Sequence, residues 1–436
     1  MRLRGSKDFL SIDCGARKPY VDVQLGLKWD TDDNYVNTGV IQQMKEGQDF
    51  PQQLYSYRYF PLRRNKHCYL LPVKIETTYL LRVRLFPGSV GEKSSVALPV
   101  DFNVTFINNL FFSYSALTDK DRKDTIYESV FHSFQREEIA LCLLQGSKGT
   151  PFINSIELRG LPKSCYIVAE NQGDSPQFMV LGDRLNMGAK ETDSFFRYPD
   201  DDFDRFWWPA VSPRFPSFAR VDESSFAQNL SQELSPYVPG NPTEVFNWPP
   251  NRTLLDAWVG TEFAFQLPRT RVDTNTMYAA FYFMEIRPKV DITATDVWEN
   301  IAYAVENTTS DIQIGTRDTW SSTLSDIVLY DKFIHVNVSK ESSSTVKSVV
   351  FNGFEYYYRF DFDISATYSK DKTAFDGLQE TFGLEDLQGD PCFPVAWDWV
   401  SCDTEASRIQ KLKLSHMNLS GPIPENISSL LELTEM

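Results

Sequence analysis

Two short stretches set aromatic rings beside carboxylates. Trp29, Asp33 and Tyr35 lie in Leu27-Lys28-Trp29-Asp30-Thr31-Asp32-Asp33-Asn34-Tyr35, and Asp200, Trp207 and Trp208 follow Arg197-Tyr198-Pro199. A flat ring stacks on the C–H face of a sugar while carboxylates accept hydrogen bonds from its hydroxyls, so the pairing suits glycan recognition. Rings of this size also plug the ends of a β-sandwich. Both readings stand on sequence, with packing the weightier for Trp207. The run Asp200-Asp201-Asp202-Phe203-Asp204 lacks the spacing and central glycine of a calcium loop. It reads as a solvated turn in which Asp204 and Arg205 pair with neighbours. The four histidines, 67, 132, 335 and 416, show no metal-ligand spacing, and no nucleophile-elbow, His-Glu-X-X-His or phosphate-cradling glycine motif occurs. No catalytic residue, metal or cofactor is assigned.

Strands must hold these residues. Short runs rich in β-branched and aromatic residues, such as Tyr79-Leu80-Leu81-Arg82-Val83-Arg84-Leu85-Phe86 and Val100-Asp101-Phe102-Asn103-Val104-Thr105-Phe106, alternate apolar and polar positions between Gly, Pro, Asn and Asp clusters. Long helical periodicity is nearly absent, so the chain is predicted to be all-β, built of sandwiches with long loops. Ile153-Asn154-Ser155-Ile156-Glu157 recurs as Phe351-Asn352-Gly353-Phe354-Glu355, and Tyr79-Leu80-Leu81-Arg82-Val83 as Tyr278-Ala279-Ala280-Phe281-Tyr282. With the Trp29 and Trp207 loops as a third landmark in the same order, a duplication is expected. The second copy shows no clear counterpart of the Phe102-Asn103-Val104 strand.

Composition narrows the function. With 42% hydrophobic and 14% aromatic residues the chain can build real cores, and 436 residues suggest roughly two to four domains. A net charge of −16 repels phosphates and argues against nucleic-acid partners. Six cysteines, 14, 68, 142, 165, 392 and 402, suit either disulfides or buried thiols. Acceptor sequons at Asn103, Asn229, Asn251, Asn307, Asn337, Asn418 and Asn426 favour a secreted context. Neither an apolar signal-peptide core nor a membrane-length apolar run is visible.

The C-terminal region carries the most specific pattern. Gly389-Asp390-Pro391-Cys392 and Trp397-Asp398-Trp399-Val400-Ser401-Cys402 precede Leu412-Lys413-Leu414-Ser415-His416-Met417-Asn418-Leu419-Ser420-Gly421-Pro422-Ile423-Pro424. The last stretch resembles one turn of a plant-type leucine-rich repeat, and the Cys392 and Cys402 frame resembles the disulfide-bearing cap of such arrays. Upstream, Ser11-Ile12-Asp13-Cys14-Gly15-Ala16, Tyr57-Arg58-Tyr59-Phe60-Pro61, His67-Cys68-Tyr69-Leu70 and Gly149-Thr150-Pro151-Phe152 join the repeated segments. In this order they resemble the ectodomains of plant malectin-like leucine-rich-repeat receptor kinases, the symbiosis receptor kinase group included.

The resemblance implies two tandem malectin-like jelly-roll domains, 9–162 and 163–368. A hinge at 369–391 would follow, then a repeat cap and truncated first repeat at 392–436, with Cys392 bonded to Cys402. It further implies a non-catalytic recognition module at the extracellular face of the plasma membrane, binding a cell-wall glycan or small secreted peptide beside a co-receptor kinase. In the family, cleavage near the hinge can release the malectin-like part. A kinase-less decoy and an accessory module of a carbohydrate-active enzyme are the alternatives.

Overall fold

The structure is a computed structural model. It describes residues 8–436 apart from 45–49, 62–63, 90–92, 94, 163–164, 167–176, 191–192, 211–225, 228–246, 248, 285–298, 315–318, 330–332, 341–348, 364, 385–387, 404–406, 416 and 418. The chain forms two compact units. The first comprises Phe9–Ser129, Ser133–Leu158 and Phe362–Met436; the second comprises Val130–His132 and Arg159–Asp361.

Each unit repeats one arrangement of strands. In the first, a sheet runs in order through the Thr125–Ser129 part of the strand Thr125–His132, Thr78–Leu85, the Ser155–Leu158 part of Ser155–Leu161, and Phe9–Asp13. An antiparallel sheet runs through Lys66–Pro72, Glu138–Gln145, Val100–Phe106 and Asn109–Ala116. In the second unit, Thr319–Val328, Thr276–Met284, Val349–Asp361 and Gln177–Asn186 follow the first order. Glu262–Pro268, Phe333–Lys340, Glu299–Val305 and Thr308–Ile314 follow the second. Glu299–Val305 therefore occupies the place of Val100–Phe106. It escaped the sequence comparison because Ala302 and Ala304, on the face away from the core, stand where the first unit has Asn103 and Thr105.

Alternation explains why these segments are strands. Phe263, Phe265 and Leu267 point into a core with Ile334, Val336, Val338, Ile301, Tyr303 and Val305, while Glu262, Ala264 and Gln266 face outward. Both units also close the start of the sandwich in one way. Cys14 N–H donates to Asn154 O at 2.8 Å, and Met187 N–H donates to Asn352 O at 2.8 Å. The next residue is glycine each time, because a Cβ on Gly15 would lie 2.4 Å from Ser56 and one on Gly188 2.4 Å from Ala257.

The cysteines divide. Cys68 and Cys142 stand opposite one another on adjacent antiparallel strands and are disulfide-bonded, as are Cys392 and Cys402. Cys14 and Cys165 are buried thiols. Burial pushes the Cys14 thiol well above its ordinary value, which keeps it a packed, unreactive group.

Part of the segment expected to be a hinge is helical, so the chain is not purely sheet. Ser369–Phe382 is an α-helix closed by Gly383 in the left-handed conformation at φ 64°. Its buried face is Asp371, Ala374, Phe375 and Leu378, packed on Trp397, Trp399, Ile409 and Leu412. Burial of Phe375 and Leu378 contributes about 1.5–3 kcal/mol each. Asp371 fits this apolar face because Arg408 clasps it with two 3.0 Å contacts and the Ile409 N–H donates to it at 2.9 Å.

The loop beyond the helix is held to the first unit's sandwich. The Lys66 ammonium donates to the carbonyls of Asp390, Phe393 and Val395 at 2.5, 2.6 and 2.6 Å, and lies 4.9 Å from the Trp397 ring. Burial lowers its pKa to about 7, with Asp390 and Asp398 acting the other way. Asn65 N–H donates to Asp398 at 3.1 Å, and Gly389 packs where a Cβ would come 3.1 Å from the Cys68 sulfur. Phe362 joins the same unit through Phe106 and Phe134.

Candidate functional site

The two aromatic-acidic loops are built on buried ion pairs. After the Lys28–Thr31 strand, Asp32 is fully buried and receives Arg58 through two 2.6 Å hydrogen bonds, with the Tyr69 hydroxyl donating at 3.0 Å. Arg58 also reaches the exposed Asp33 at 2.9 Å. Trp29, read as a stacking platform, is 1% exposed and stacks on Tyr20 inside the unit. No ligand can reach its face. The surface that remains is half-buried Tyr35 near the Lys28–Asp30 pair, 2.7 Å apart, with Asp33 beyond. Burial, and then the Asp30 charge, raises the Tyr35 phenol.

The second loop repeats the logic. Asp201 and Asp204 are fully buried, contrary to the solvated turn expected from the acidic run. Asp201 accepts from Arg205 at 2.8 Å and from the Trp207 indole N–H at 2.6 Å. Asp204 accepts from Arg159 and Arg197, each at 2.7 Å. An unpaired buried carboxylate costs several kcal/mol, and these guanidinium groups remove that cost. Trp207 is 0% exposed and is therefore core rather than platform. Trp208 is half-buried, its ring 4.6 Å from Phe195. Asp200 is exposed and pairs with Arg252 at 2.5 Å, whose guanidinium lies 4.7 Å from the Phe196 ring.

Of the six ligand candidates, then, Tyr35 and Asp33 remain open in the first unit and Trp208 and Asp200 in the second. Among the sequons, Asn103, Asn251, Asn307 and Asn337 are exposed, and Asn229 and Asn418 lie outside the described residues. Asn426 is poorly placed for a sugar. Its side-chain nitrogen donates to Thr373 O at 3.3 Å, and a Cβ on Gly377 would meet that nitrogen at 1.9 Å.

Sequence reasoning missed the polar centre of each unit. Glu355 accepts from Arg184 at 2.7 Å, from Tyr166 at 2.8 Å and from Tyr357 at 3.0 Å, with the Tyr282 hydroxyl on its other oxygen. Burial works to raise its pKa, but Arg184 and Arg205 outweigh burial and hold it below the usual range. In the first unit Arg82 sits between Glu128 at 2.9 Å and Glu157 at 3.2 Å. All these groups are buried and satisfied, so they specify the fold rather than do chemistry.

Asp13 is the buried carboxyl with a usable titration. Burial raises it to about 6, against hydrogen bonds from Tyr20, the Gly15 N–H and Ser56. The folded state therefore binds the proton more tightly than the unfolded chain. The stability this group contributes is present below its ordinary pKa near 4 and is lost as pH rises through 6. Asp13→Asn is expected to match the wild type in chemical denaturation near pH 4 and exceed it by roughly 2–3 kcal/mol at pH 8.

The comparisons with known proteins agree with this architecture. The family model described as "Malectin-like domain" matches residues 12–359. A probable LRR receptor-like serine/threonine-protein kinase of Arabidopsis thaliana is 26% identical over 448 residues, covering 98% of this chain and 45% of the relative. The Arabidopsis LRR receptor-like serine/threonine-protein kinase IOS1 is 26% identical over 440 residues, with the same coverage. The chain thus spans about half the length of these relatives. The ANX2 ectodomain from Arabidopsis thaliana superposes with a TM-score of 0.61 at 16% identity, covering 81% of this chain and 97% of that one. A chain from the structure of plant peptide RALF23 in complex with FER and LLG2 gives 0.61 at 14% identity, covering 82% and 97%. With the model matching most of its length, the chain belongs to the malectin-like domain family.

Proposed function

We propose that the chain is the non-catalytic extracellular recognition part of a receptor-like kinase, and that it binds a small, positively charged secreted peptide together with a co-receptor. The observation that carries this is the shared fold with ectodomains such as FER, solved with the peptide RALF23 and LLG2. The charge of −16 supports a cationic partner, because the summed field draws it in. Burial of Trp29 and Trp207 removes the two broadest sugar platforms and counts against a lectin-like groove in these loops. A cell-wall glycan is the second reading, favoured by the half-open Trp208 beside Phe195.

On this reading 9–162 and 163–368 are tandem malectin-like domains, supported by the common strand order and the paired Cys14 and Met187 hydrogen bonds. Residues 392–436 begin a leucine-rich repeat behind a disulfide cap. Support comes from the parallel bridge between Lys411 and Glu435, a separation of 24 residues that falls within the period of such repeats.

Calorimetric titration of the secreted protein against cationic peptides and cell-wall oligosaccharides tests the function. Saturable peptide binding is expected, weakened about tenfold in Tyr35→Ala or Trp208→Ala, the effect of losing one exposed aromatic anchor. Binding only to oligosaccharide would replace the peptide reading with the glycan one. Silence in both panels would overturn both.

A further inference from the structure

The outer face of the second unit's four-stranded sheet carries an open depression of about 370 Å³, lined by Ala264, Gln266, Ala304, Glu306, His335 and Asn337. Its floor follows from register. Asn337 stands opposite Ala264 on one neighbouring strand and opposite Ala304 on the other. Directly paired residues lie roughly 4.5–5.5 Å apart, so a methyl group flanks Asn337 on each side where a longer side chain would fill the space. One pair along, Gln266 faces His335, and Glu306 is fixed by accepting the His335 N–H at 2.8 Å. Asn337 is exposed and begins the sequon Asn337-Val338-Ser339.

The first unit shows what this position needs. The matching strands there are Lys66–Pro72 and Glu138–Gln145, and the places of Ala264 and Asn337 are taken by the facing pair Cys68 and Cys142. That spot is covered by the chain itself: Gly389 lies against the Cys68 sulfur and Lys66 grips the same loop. The second unit offers a polar, alanine-floored hollow with an acceptor asparagine at its centre. Asn103 differs, since it faces Leu144 and Ser113, and Asn307 stands exposed at the turn before Thr308–Ile314.

We propose that Asn337 carries an N-linked glycan whose first sugar lies in this depression and covers the outer face of the sheet. The apolar side of the N-acetylhexosamine rests on Ala264 and Ala304, and its hydroxyl and amide groups reach Gln266, Glu306 and His335. Attachment is transfer from a lipid diphosphate-linked oligosaccharide. The bond from Asn337 Nδ2 to sugar C1 forms, the bond from C1 to the diphosphate oxygen breaks, and the lipid diphosphate leaves with the amide proton. The inference rests on the extracellular reading above.

The test uses the full chain secreted from a plant cell line, with site occupancy read by mass spectrometry after enzymatic release in ¹⁸O-water. Occupancy at Asn337 is expected. Release by the glycosidase from native protein should be about tenfold slower at Asn337 than at Asn307, the factor given by about 1.4 kcal/mol of sugar–protein contact. The difference should vanish after denaturation. Ala304→Leu fills the floor and should bring native release at Asn337 to the Asn307 rate. An unmodified Asn337 beside modified Asn103 or Asn307, or equal native rates at Asn337 and Asn307, overturns the inference alone. A secreted chain bare at every sequon overturns it together with the extracellular reading.

Discussion

Lys66→Met is expected to free the segment from Gly389 to Trp397 while leaving the first unit's sandwich folded. The variant removes the donor to three part-buried carbonyls, and each acceptor left without its partner costs up to about 1–3 kcal/mol. Part of that loss is offset because a buried charge is also removed, so the expected net destabilisation of the segment is roughly 2–4 kcal/mol. Limited proteolysis reads this directly: cleavage between residues 383 and 408 should accelerate, while peptides from Val100–Phe106 keep wild-type hydrogen exchange. Unchanged cleavage would show that the helix Ser369–Phe382 and the Cys392–Cys402 disulfide hold the loop without Lys66.

Glu355→Gln is expected to be the most damaging isosteric change in the second unit. The glutamine keeps the shape but leaves Arg184 buried without its counter-charge, a defect of the class that costs about 3–5 kcal/mol. Arg205 keeps Asp201, so the damage should centre on the pairing of Val349–Asp361 with Gln177–Asn186. Hydrogen exchange of peptides from Val349–Asp361 should rise by orders of magnitude, whereas peptides from Lys66–Pro72 should not change. Equal exchange in both would sink the claim that this network organises its unit.

Much of the fold was legible because strand alternation is a local signal. The segments Thr78–Leu85 and Val100–Phe106 announce themselves in any window of eight residues. The repeated Asn-Ser-Ile-Glu and Asn-Gly-Phe-Glu motifs were visible too, but only as markers. Their glutamates find arginines at separations of 75 and 171 residues, and such pairings leave no local trace. The helix was hidden for a related reason. Its buried stripe opens with Asp371, which reads as surface until Arg408 is known to meet it.

The candidate site was harder to read, and the physics is plain. An aromatic next to an aspartate looks the same whether the carboxylate awaits a sugar or already serves an indole, as Asp201 serves Trp207. Arginine supply decides between the two: Arg58, Arg159, Arg197 and Arg205 consume the buried acids, leaving Asp33 and Asp200 outside. Counting acidic residues in a loop therefore overstates what a ligand can meet.

The tie between the Gly389–Trp397 loop and the Lys66–Pro72 strand also changes what a broken backbone would mean. A protease that nicks the chain just after the helix severs one covalent link, yet the ammonium, the Asn65–Asp398 contact and the packing of the helix on Trp397 and Trp399 still join the pieces. Scission and departure become separate events. The nick would set only the moment at which separation is permitted, and the dissociation rate of a non-covalent complex would set how long the two parts travel together.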